Sequence, residues 1–126
     1  MGKGYLIDTN AIIDFFNKSL PESGRSLLIN SIPIISIVTF IEIFRKKSLS
    51  DGERRDLKDF TEAAIIYGVD TDVALRTIDI RLKYKIKLPD ALIAATAIHY
   101  ELILVTRNLS DFNDISGLQI INPHAV

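Results

Sequence analysis

The sequence predicts an α/β fold of three layers, with helices on both faces of a central parallel sheet of four to five strands. Short apolar runs alternate along the chain with longer segments that carry helix-start signals and apolar residues at helical spacing. Strands that alternate with helices imply parallel β–α–β units. With 126 residues and 48% hydrophobic side chains, the chain has the length and core material of one domain, residues 1–126.

The N-terminal elements follow from apolar runs and capping residues. The apolar run at 5–7 predicts a short buried strand. Thr9 or Asn10 can cap a helix that begins near Ala11. Pro21 and Glu22 can begin a second short helix, which continues through Ile29.

The next segment allows two interpretations. Pro33 marks a turn before a strand at 34–36, and the chain from there to about Lys47 predicts a helix. Because Ile, Val and Thr favour strands, a longer strand through Ile43 is the alternative.

The middle of the chain begins with a capping box. Ser50 and Glu53 have the spacing in which each side chain binds the other residue's backbone, and this helix should reach about Ile66. Residues 68–70 predict a turn, and they could also form a minimal strand. Thr71 or Asp72 can cap the following helix, whose apolar positions are Val73, Leu75, Ile78 and Leu82.

The last helix and strands are the most apolar part of the chain. Pro89 suits a first helical position, and the helix from there to about Tyr100 is apolar on nearly every side, which predicts burial. Residues 102–105 predict a strand, and 118–121 an edge strand.

Composition excludes several classes of protein. The absence of cysteine excludes disulfides, zinc–thiolate sites and a cysteine nucleophile, and it fits the cytoplasm. No apolar run is long enough to cross a membrane, and no signal-peptide pattern is visible. A net charge of −1 argues against a generally basic nucleic-acid binder. Solvated helix faces are the simpler interpretation of the local basic clusters, which are Arg45–Lys47, Arg54–Arg55 and Lys83, Lys85 and Lys87.

Four acidic residues stand where a strand ends or a helix begins: Asp8, Glu42, Asp90 and Asp111. Because ligands bind at the carboxyl ends of parallel strands, a wound chain would gather these carboxylates in one pocket. Like charges held close repel unless protons or cations neutralise them. A divalent metal site is therefore the simplest explanation.

Each acid also has a purely structural interpretation. Asp8 can form an Asx-turn, Asp90 can favour the positive end of a helix, and Asp111 can cap a helix or lie in a loop. Glu42 is harder to explain this way, because it lies among bulky apolar residues.

The donor atoms indicate which cation would fit. An oxygen-only cluster selects hard cations such as Mg²⁺ or Mn²⁺. The two histidines are not expected to be ligands: His99 lies late in the buried helix, and His124 lies in a solvated tail. No Walker loop or dinucleotide-binding glycine motif is present, and no Ser-His-Asp or Cys-His set can be assembled.

Four segments in this order resemble a PIN domain, and most closely the small VapC-type toxins of prokaryotic toxin–antitoxin pairs. The segments are Leu6–Asn10, Glu42, Leu88–Ala97 and Leu104–Phe112, and they span nearly the whole chain.

The resemblance implies a metal-dependent ribonuclease that leaves 5′-phosphate and 3′-hydroxyl ends. Its catalytic and metal-binding acids correspond to Asp8, Glu42, Asp90 and Asp111. Thr9, Asn10 and Thr106 would orient carboxylates or water, and Asn108 would share the role of Asp111. These four residues surround the acids in the sequence motifs.

The resemblance also implies partners. A toxin of this kind cuts RNA and is restrained by a cognate antitoxin. The apolar residues of the first two helices and of 37–44 exceed what the core requires, so we expect a homodimer and a groove for an antitoxin segment. A PIN-domain nuclease of RNA processing or decay remains the alternative.

Three other classes fit less well. A response-regulator receiver needs adjacent acids after the first strand, whereas Asp8 is followed by Thr9. A phosphatase that uses Asp8 as nucleophile would need a catalytic lysine and a larger chain. A PIN-like binding module without catalysis would lack one of the acids, and none is missing.

Overall fold

The computed structural model describes residues 4–45, 47–112 and 114–126. Its strands are β1 (Tyr5–Ile7), β2 (Ile34–Ser36), β3 (Ile65–Tyr67), β4 (Ile103–Val105) and β5 (Ile120–Ile121). Its helices are α1 (Thr9–Phe16), α2 (Glu22–Ile29), α3 (Ile37–Ile43), α4 (Asp51–Ala63), α5 (Thr71–Lys83), α6 (Leu88–His99) and α7 (Leu109–Phe112).

The five strands form one parallel sheet in the order β3-β2-β1-β4-β5, which confirms the predicted fold class. The chain begins in the centre, adds β2 and β3 on one side and returns to add β4 and β5 on the other. All carboxyl ends therefore lie at one edge of the sheet, and the chain enters α1, α3 and α7 from that edge.

Alternate residues of the strands face two separate cores, as the pleat requires. Leu6 and Leu104 pack with α5 and α6 on one face. Ile7 and Val105 pack with residues of α1 to α4 on the other. The helices thus form the two outer layers of the predicted sandwich.

Two predicted helix caps were one residue or more too late. The carboxylate of Asp8 accepts a hydrogen bond from the backbone of Thr9, so Asp8 caps α1. Asp70 accepts from Val73 and caps α5. The capping box of α4 between Ser50 and Glu53 is confirmed.

The segment after β2 is a helix, and the longer-strand alternative is wrong. The hydroxyl of Ser36 accepts from the backbone of Thr39, which turns the chain into α3 directly after the strand. The helix ends at Ile43 rather than near Lys47.

The end of α4 was also predicted wrongly. The helix stops at Ala63, and Ile65–Tyr67 forms β3 against β2. The minimal strand that the sequence suggested at 68–70 therefore lies three residues after the observed one. Backbone pairing with β2 stabilises β3, and such a partner is not visible in local sequence.

Burial of α6 is confirmed: six of its residues are buried, four of them alanines that allow close packing. In α5 the core takes Val73, Thr77 and Ile80. Leu75, Ile78 and Leu82, which helical periodicity also marks as apolar, are exposed. Among the described residues, no helix is both long and apolar enough to cross a membrane.

Candidate active site

The four acids lie on elements that begin at the carboxyl edge of the sheet. Asp8 directly follows β1, and Glu42 lies on α3, which follows β2. Asp90 is in the first turn of α6, and Asp111 lies in α7, shortly after β4.

Asp8 is the most firmly held of the four carboxylates. It is 4% exposed. One carboxylate oxygen accepts the backbone N–H of Thr9 at 2.8 Å, and the other accepts the Thr106 hydroxyl at 2.8 Å and the Asn10 amide at 3.1 Å. These donors compensate for much of the water that the carboxylate loses on burial, and they fix its orientation.

A second set of hydrogen bonds links β1 to α3 and to the end of β4. The hydroxyl of Thr9 donates to the Glu42 carboxylate at 2.8 Å, so Glu42 is half-buried and has a partner. The Thr106 hydroxyl accepts from the Asn10 amide at 3.2 Å and from the backbone of Asn108 at 3.1 Å. Thr9, Asn10 and Thr106 thus each bond to Asp8 or Glu42, and their role in orienting these carboxylates for catalysis stays a prediction. Asn108 enters this network through its backbone.

The charges of the four acids act on one another. Burial raises the pKa of Asp90 to about 6, and the negative charges of Asp8, Asp111 and Glu42 add to the rise. Burial also raises the pKa of Asp8, and the hydrogen bonds from Thr106, Thr9 and Asn10 oppose that rise. The structure therefore brings the four carboxylates into one negative cluster, although Asp111 is exposed.

The donor set of this cluster fits a hard divalent cation. All four side chains offer carboxylate oxygens, which are the ligands that Mg²⁺ and Mn²⁺ prefer. After burial, the three neighbouring carboxylates contribute to the raised pKa of Asp90, so their negative charges act on the same place. A cation would offset these charges.

A different group in the described part of the chain has three ligand atoms close enough together to hold a metal ion. One ligand atom each from Asp70, Asp72 and His99 lie within 4.8 Å of one another. This group lies at the N-terminus of α5 and the C-terminus of α6, and it includes none of the four acids. The sequence predicted no ligand role for His99, and this group offers it one at a place away from the four carboxylates.

A shallow cleft beside the cluster carries positive charge. Its walls include Asp90 and Asp111 together with Arg81, Lys85 and Lys87. Both lysines belong to a basic cluster that the sequence suggested was only a solvated helix face. Lys85 and Lys87 lie in the segment between α5 and α6, just before Asp90, whereas Arg81 comes from α5.

The sequence did not identify a second charged group, which is centred on Asp14. This aspartate in α1 is buried, and its oxygens meet Arg107 at 2.6 Å and His124 at 2.8 Å. His124 is exposed, as expected, and its ring also contacts Asp14. The backbone N–H of Arg107 also donates to Asn10. Arg107 therefore links the loop after β4, which carries Thr106, to α1 through both Asp14 and Asn10.

Comparisons with known proteins place the chain in a family. The model of the PIN domain matches residues 5–118. A toxin–antitoxin complex from Klebsiella pneumoniae contains a chain that is 33% identical, with a TM-score of 0.79 and coverage of 98% of this chain and 100% of that chain. A DNA-bound VapBC from Salmonella typhimurium contains a chain that is 27% identical, with a TM-score of 0.79 and coverage of 97% and 99%.

More distant structures share the fold. A chain of FitAcB from Neisseria gonorrhoeae is 22% identical, with a TM-score of 0.75 and coverage of 97% of this chain and 99% of that chain. A comparison with curated proteins gave no match. The match of the family model over residues 5–118 shows that this chain belongs to the PIN-domain family.

Proposed function

We propose that this chain is a Mg²⁺- or Mn²⁺-dependent endoribonuclease and the toxin of a toxin–antitoxin pair, with residues 1–126 forming one nuclease domain that acts in the cytoplasm. The observation that carries the proposal is the convergence of four carboxylates, seen in the effect of three of them on the pKa of Asp90. Membership of the PIN family and the similarity to chains from toxin–antitoxin complexes support it.

The chain's own residues would hold the metal and orient the substrate. Asp8, Glu42, Asp90 and Asp111 would be its ligands, and Thr9, Asn10 and Thr106 keep Asp8 and Glu42 in place before RNA arrives. A divalent metal here would supply Lewis-acid stabilisation of phosphate charge and acidify water for attack at phosphorus. No covalent enzyme intermediate is expected.

The basic cleft gives the RNA backbone a place to lie. Lys85 and Lys87 line the same cleft as Asp90 and Asp111, so a bound phosphodiester can contact cations while it faces the acids. Contacts of this kind bind any sequence, and they position the strand rather than select it. Single-stranded or loop RNA is the expected substrate, because its backbone can be drawn into such a cleft.

A cleavage assay tests the proposal. Purified protein is incubated with structured RNAs and Mg²⁺ or Mn²⁺, with and without EDTA. Cleavage should require the metal and should be lost in Asp8→Asn and Asp90→Asn, whereas the exposed Asp59→Asn on α4 should cleave normally. Cleavage that survives chelation, or that persists in both active-site variants, would sink the proposal.

An apolar groove next to Glu42 suits the antitoxin. It has a volume of about 180 Å³, and its walls combine apolar side chains with three acids: Ile13, Phe16, Ile43, Leu49 and Leu57 with Glu42, Glu53 and Asp56. An antitoxin segment with apolar anchors and a basic residue would match both features. The basic side chain could pair with the four-acid cluster and displace the metal.

Co-expression tests the partner. The protein is produced with the product of the neighbouring small reading frame, and we expect a complex that co-purifies and relieves toxicity. Ile13→Glu, at a side chain that is 44% exposed on the groove, should weaken the complex. If no complex co-purifies and toxicity is unchanged, the toxin role is wrong, and a nuclease of RNA processing or decay becomes the better assignment.

We also expect a homodimer. The sequence suggested the first two helices and residues 37–44 as its surface, whereas the exposed apolar side chains of α5 favour that helix instead.

A further inference from the structure

Asp14 is a buried carboxylate that the proposed chemistry does not use. It is 4% exposed, and each of its two oxygens has a partner. Nη1 of Arg107 donates to Oδ1 at 2.6 Å, and Nε2 of His124 lies 2.8 Å from Oδ2. Replacing a buried ion pair with apolar side chains is often neutral for stability. The place of this group in the fold therefore points to a role besides stability.

Arg107 is held at two points on α1. Asn10 and Asp14 are four residues apart in this helix, so they lie on the same face of it. The side-chain oxygen of Asn10 accepts the backbone N–H of Arg107 at 3.1 Å, while Asp14 binds the guanidinium. These contacts fix both the backbone and the side chain of Arg107. The loop after β4 is therefore docked along one face of α1.

The docked loop is connected to two of the four acids. On one side of Arg107, the hydroxyl of Thr106 donates to Asp8 at 2.8 Å and accepts the backbone N–H of Asn108 at 3.1 Å. On the other side, the carbonyl of Arg107 accepts the backbone N–H of the first residue of α7 at 3.1 Å. Helix α7 carries Asp111. The position of Arg107 thus affects where Asp8 and Asp111 lie relative to each other.

The C-terminal tail reaches the same carboxylate because of the strand order. β4 and β5 are parallel neighbours, so the segments that follow them leave the sheet at the same edge. Arg107 follows β4, and His124 follows β5. The side chain of Asn122 accepts the backbone N–H of His124 at 2.9 Å, which closes a turn in the tail. Both segments therefore end their course at Asp14.

We propose that Asp14 is a positioning residue of the active site. Held by His124, it clamps Arg107, and the clamped loop keeps Asp8 and Asp111 in place for a metal ion. The inference rests on the proposed function for the reaction itself. It adds that residues outside the four-acid cluster determine how well the cluster binds metal. Removal of groups that orient metal ligands typically lowers metal affinity or activity about 10–100-fold.

A change at Asp14 separates positioning from RNA binding. The side chain of Arg107 is 49% exposed, so its charge is also available to a phosphate. Asp14→Ala leaves that charge in place. It should therefore lower metal affinity and kcat while the KM for RNA is nearly unchanged. Arg107→Ala removes the charge itself and should raise KM as well.

Titration with Mn²⁺, followed by the EPR signal of the free ion, measures the effect on the metal. Asp14→Ala should weaken Mn²⁺ binding about tenfold or more, and His124→Ala should weaken it less. His124→Gln, whose side-chain amide can donate to Asp14, should bind Mn²⁺ nearly as the parent does. In the double variant Asp14→Ala, His124→Ala, the second change should add nothing, because both act through one carboxylate.

Val73→Ala is the matched control for stability. Val73 is fully buried in α5, in the core on the opposite face of the sheet from α1. Its truncation destabilises the fold without altering the clamp. Mn²⁺ affinity and kcat of this variant should therefore equal those of the parent at room temperature, and urea denaturation gives the stability that Val73→Ala and Asp14→Ala each lose.

Amide hydrogen exchange measures the clamp without metal or RNA. In EDTA, Asp14→Ala should speed exchange of the backbone N–H groups of Arg107 and Asn108, which bond to side chains of α1 and of the loop. The N–H of Asp8, which bonds to the end of β4, should keep its protection. If the proposed function is wrong, the parent neither binds Mn²⁺ nor cuts RNA. If the clamp is wrong, the parent does both and the variants match it.

Three results would overturn the proposal: exchange at Arg107 and Asn108 that is equal in the parent and in Asp14→Ala, Mn²⁺ affinity that is the same in both, or an equal loss of affinity in Val73→Ala.

Discussion

Asp90 is the residue whose protonation reports most directly on the cluster. Burial and three neighbouring carboxylates raise its pKa from 3.8 to about 6. A carboxyl group with a raised pKa binds protons more tightly in the folded state, so it favours folding at low pH. That contribution is complete below about pH 4 and is lost as the pH rises through about 6.

The first prediction follows from this sign. In EDTA at pH 7.5, Asp90→Asn should be as stable as the parent or more stable, and the gain should shrink as the pH falls below 6 and vanish near pH 4. Urea denaturation at a series of pH values measures the difference. Metal should raise the melting temperature of the parent more than that of the variant, because mass action follows affinity.

A matched variant separates charge repulsion from helix electrostatics. Asp51 is also an acid in the first helical turn, in α4, and it is exposed. Asp51→Asn should lose roughly 0.3–1 kcal/mol through the helix dipole alone. If Asp90→Asn loses a similar amount of stability at pH 7.5, repulsion among the four carboxylates does not destabilise the fold. Asp90 then acts mainly through the dipole at the N-terminus of α6.

The second prediction concerns Asp14, which the four-acid pattern overlooks. Its carboxylate is buried between Arg107 and His124. Asp14→Ala removes both charged hydrogen bonds and should cost about 1.5–3 kcal/mol. The side chains of Arg107 and His124 are both partly exposed, so water can solvate them after the change. Urea denaturation measures this, and an effect no larger than that of the exposed Asp59→Ala would contradict it.

At the scale of elements, the backbone of the C-terminal tail packs very closely against α2, at Gly24. A Cβ built on Gly24 would lie 1.8 Å from the carbonyl oxygen of Pro123. Such a separation is impossible without movement of one backbone. Only glycine therefore permits the tail to lie where His124 reaches Asp14.

This close approach reverses the usual effect of a glycine substitution. Glycine to alanine within a helix normally stabilises by about 0.5–1 kcal/mol. Gly24→Ala should instead destabilise, and it should weaken protection of the tail against hydrogen exchange. Gly52→Ala in α4 is the control: its Cβ would meet only the Ser50 hydroxyl, at 3.9 Å, so stabilisation is expected. Equal shifts in melting temperature for both variants would contradict the close approach.

At the scale of the whole molecule, positive and negative side chains are separated into local groups, although the net charge is slightly negative. The net charge is −1, yet Arg81, Lys85 and Lys87 gather beside Asp90 and Asp111. An acid cluster bordered by cations can hold a phosphate chain that the overall charge would not attract.

The last prediction tests this border in the inactive Asp8→Asn background. Lys85→Glu with Lys87→Glu should weaken RNA binding for all sequences and flatten its salt dependence, by about 0.7 in slope for each phosphate that the protein no longer neutralises. Fluorescence anisotropy at several salt concentrations measures both. Arg54→Glu with Lys58→Glu on α4 changes net charge equally and should have little effect. Equally weakened binding in the two double variants would mean that only overall charge matters.

Sequence alone determined the features that depend on neighbours a few residues apart. The capping box at Ser50, the strand at 5–7 and the burial of α6 all follow from local pattern. The four acids were also visible, because each stands at a change from strand to helix and parallel strands end at one edge. Their catalytic role remains a prediction.

Only the tertiary structure decided the features that depend on distant partners. β3 lies at 65–67 because its backbone pairs there with β2. Asp14 contacts a histidine that is 110 positions away in the sequence. Local pattern cannot tell which apolar face of α5 the core takes, since both faces repeat at helical spacing. Packing against α6 buries Val73 and Ile80 and leaves Ile78 in solvent, and this choice creates the surface proposed for the second copy.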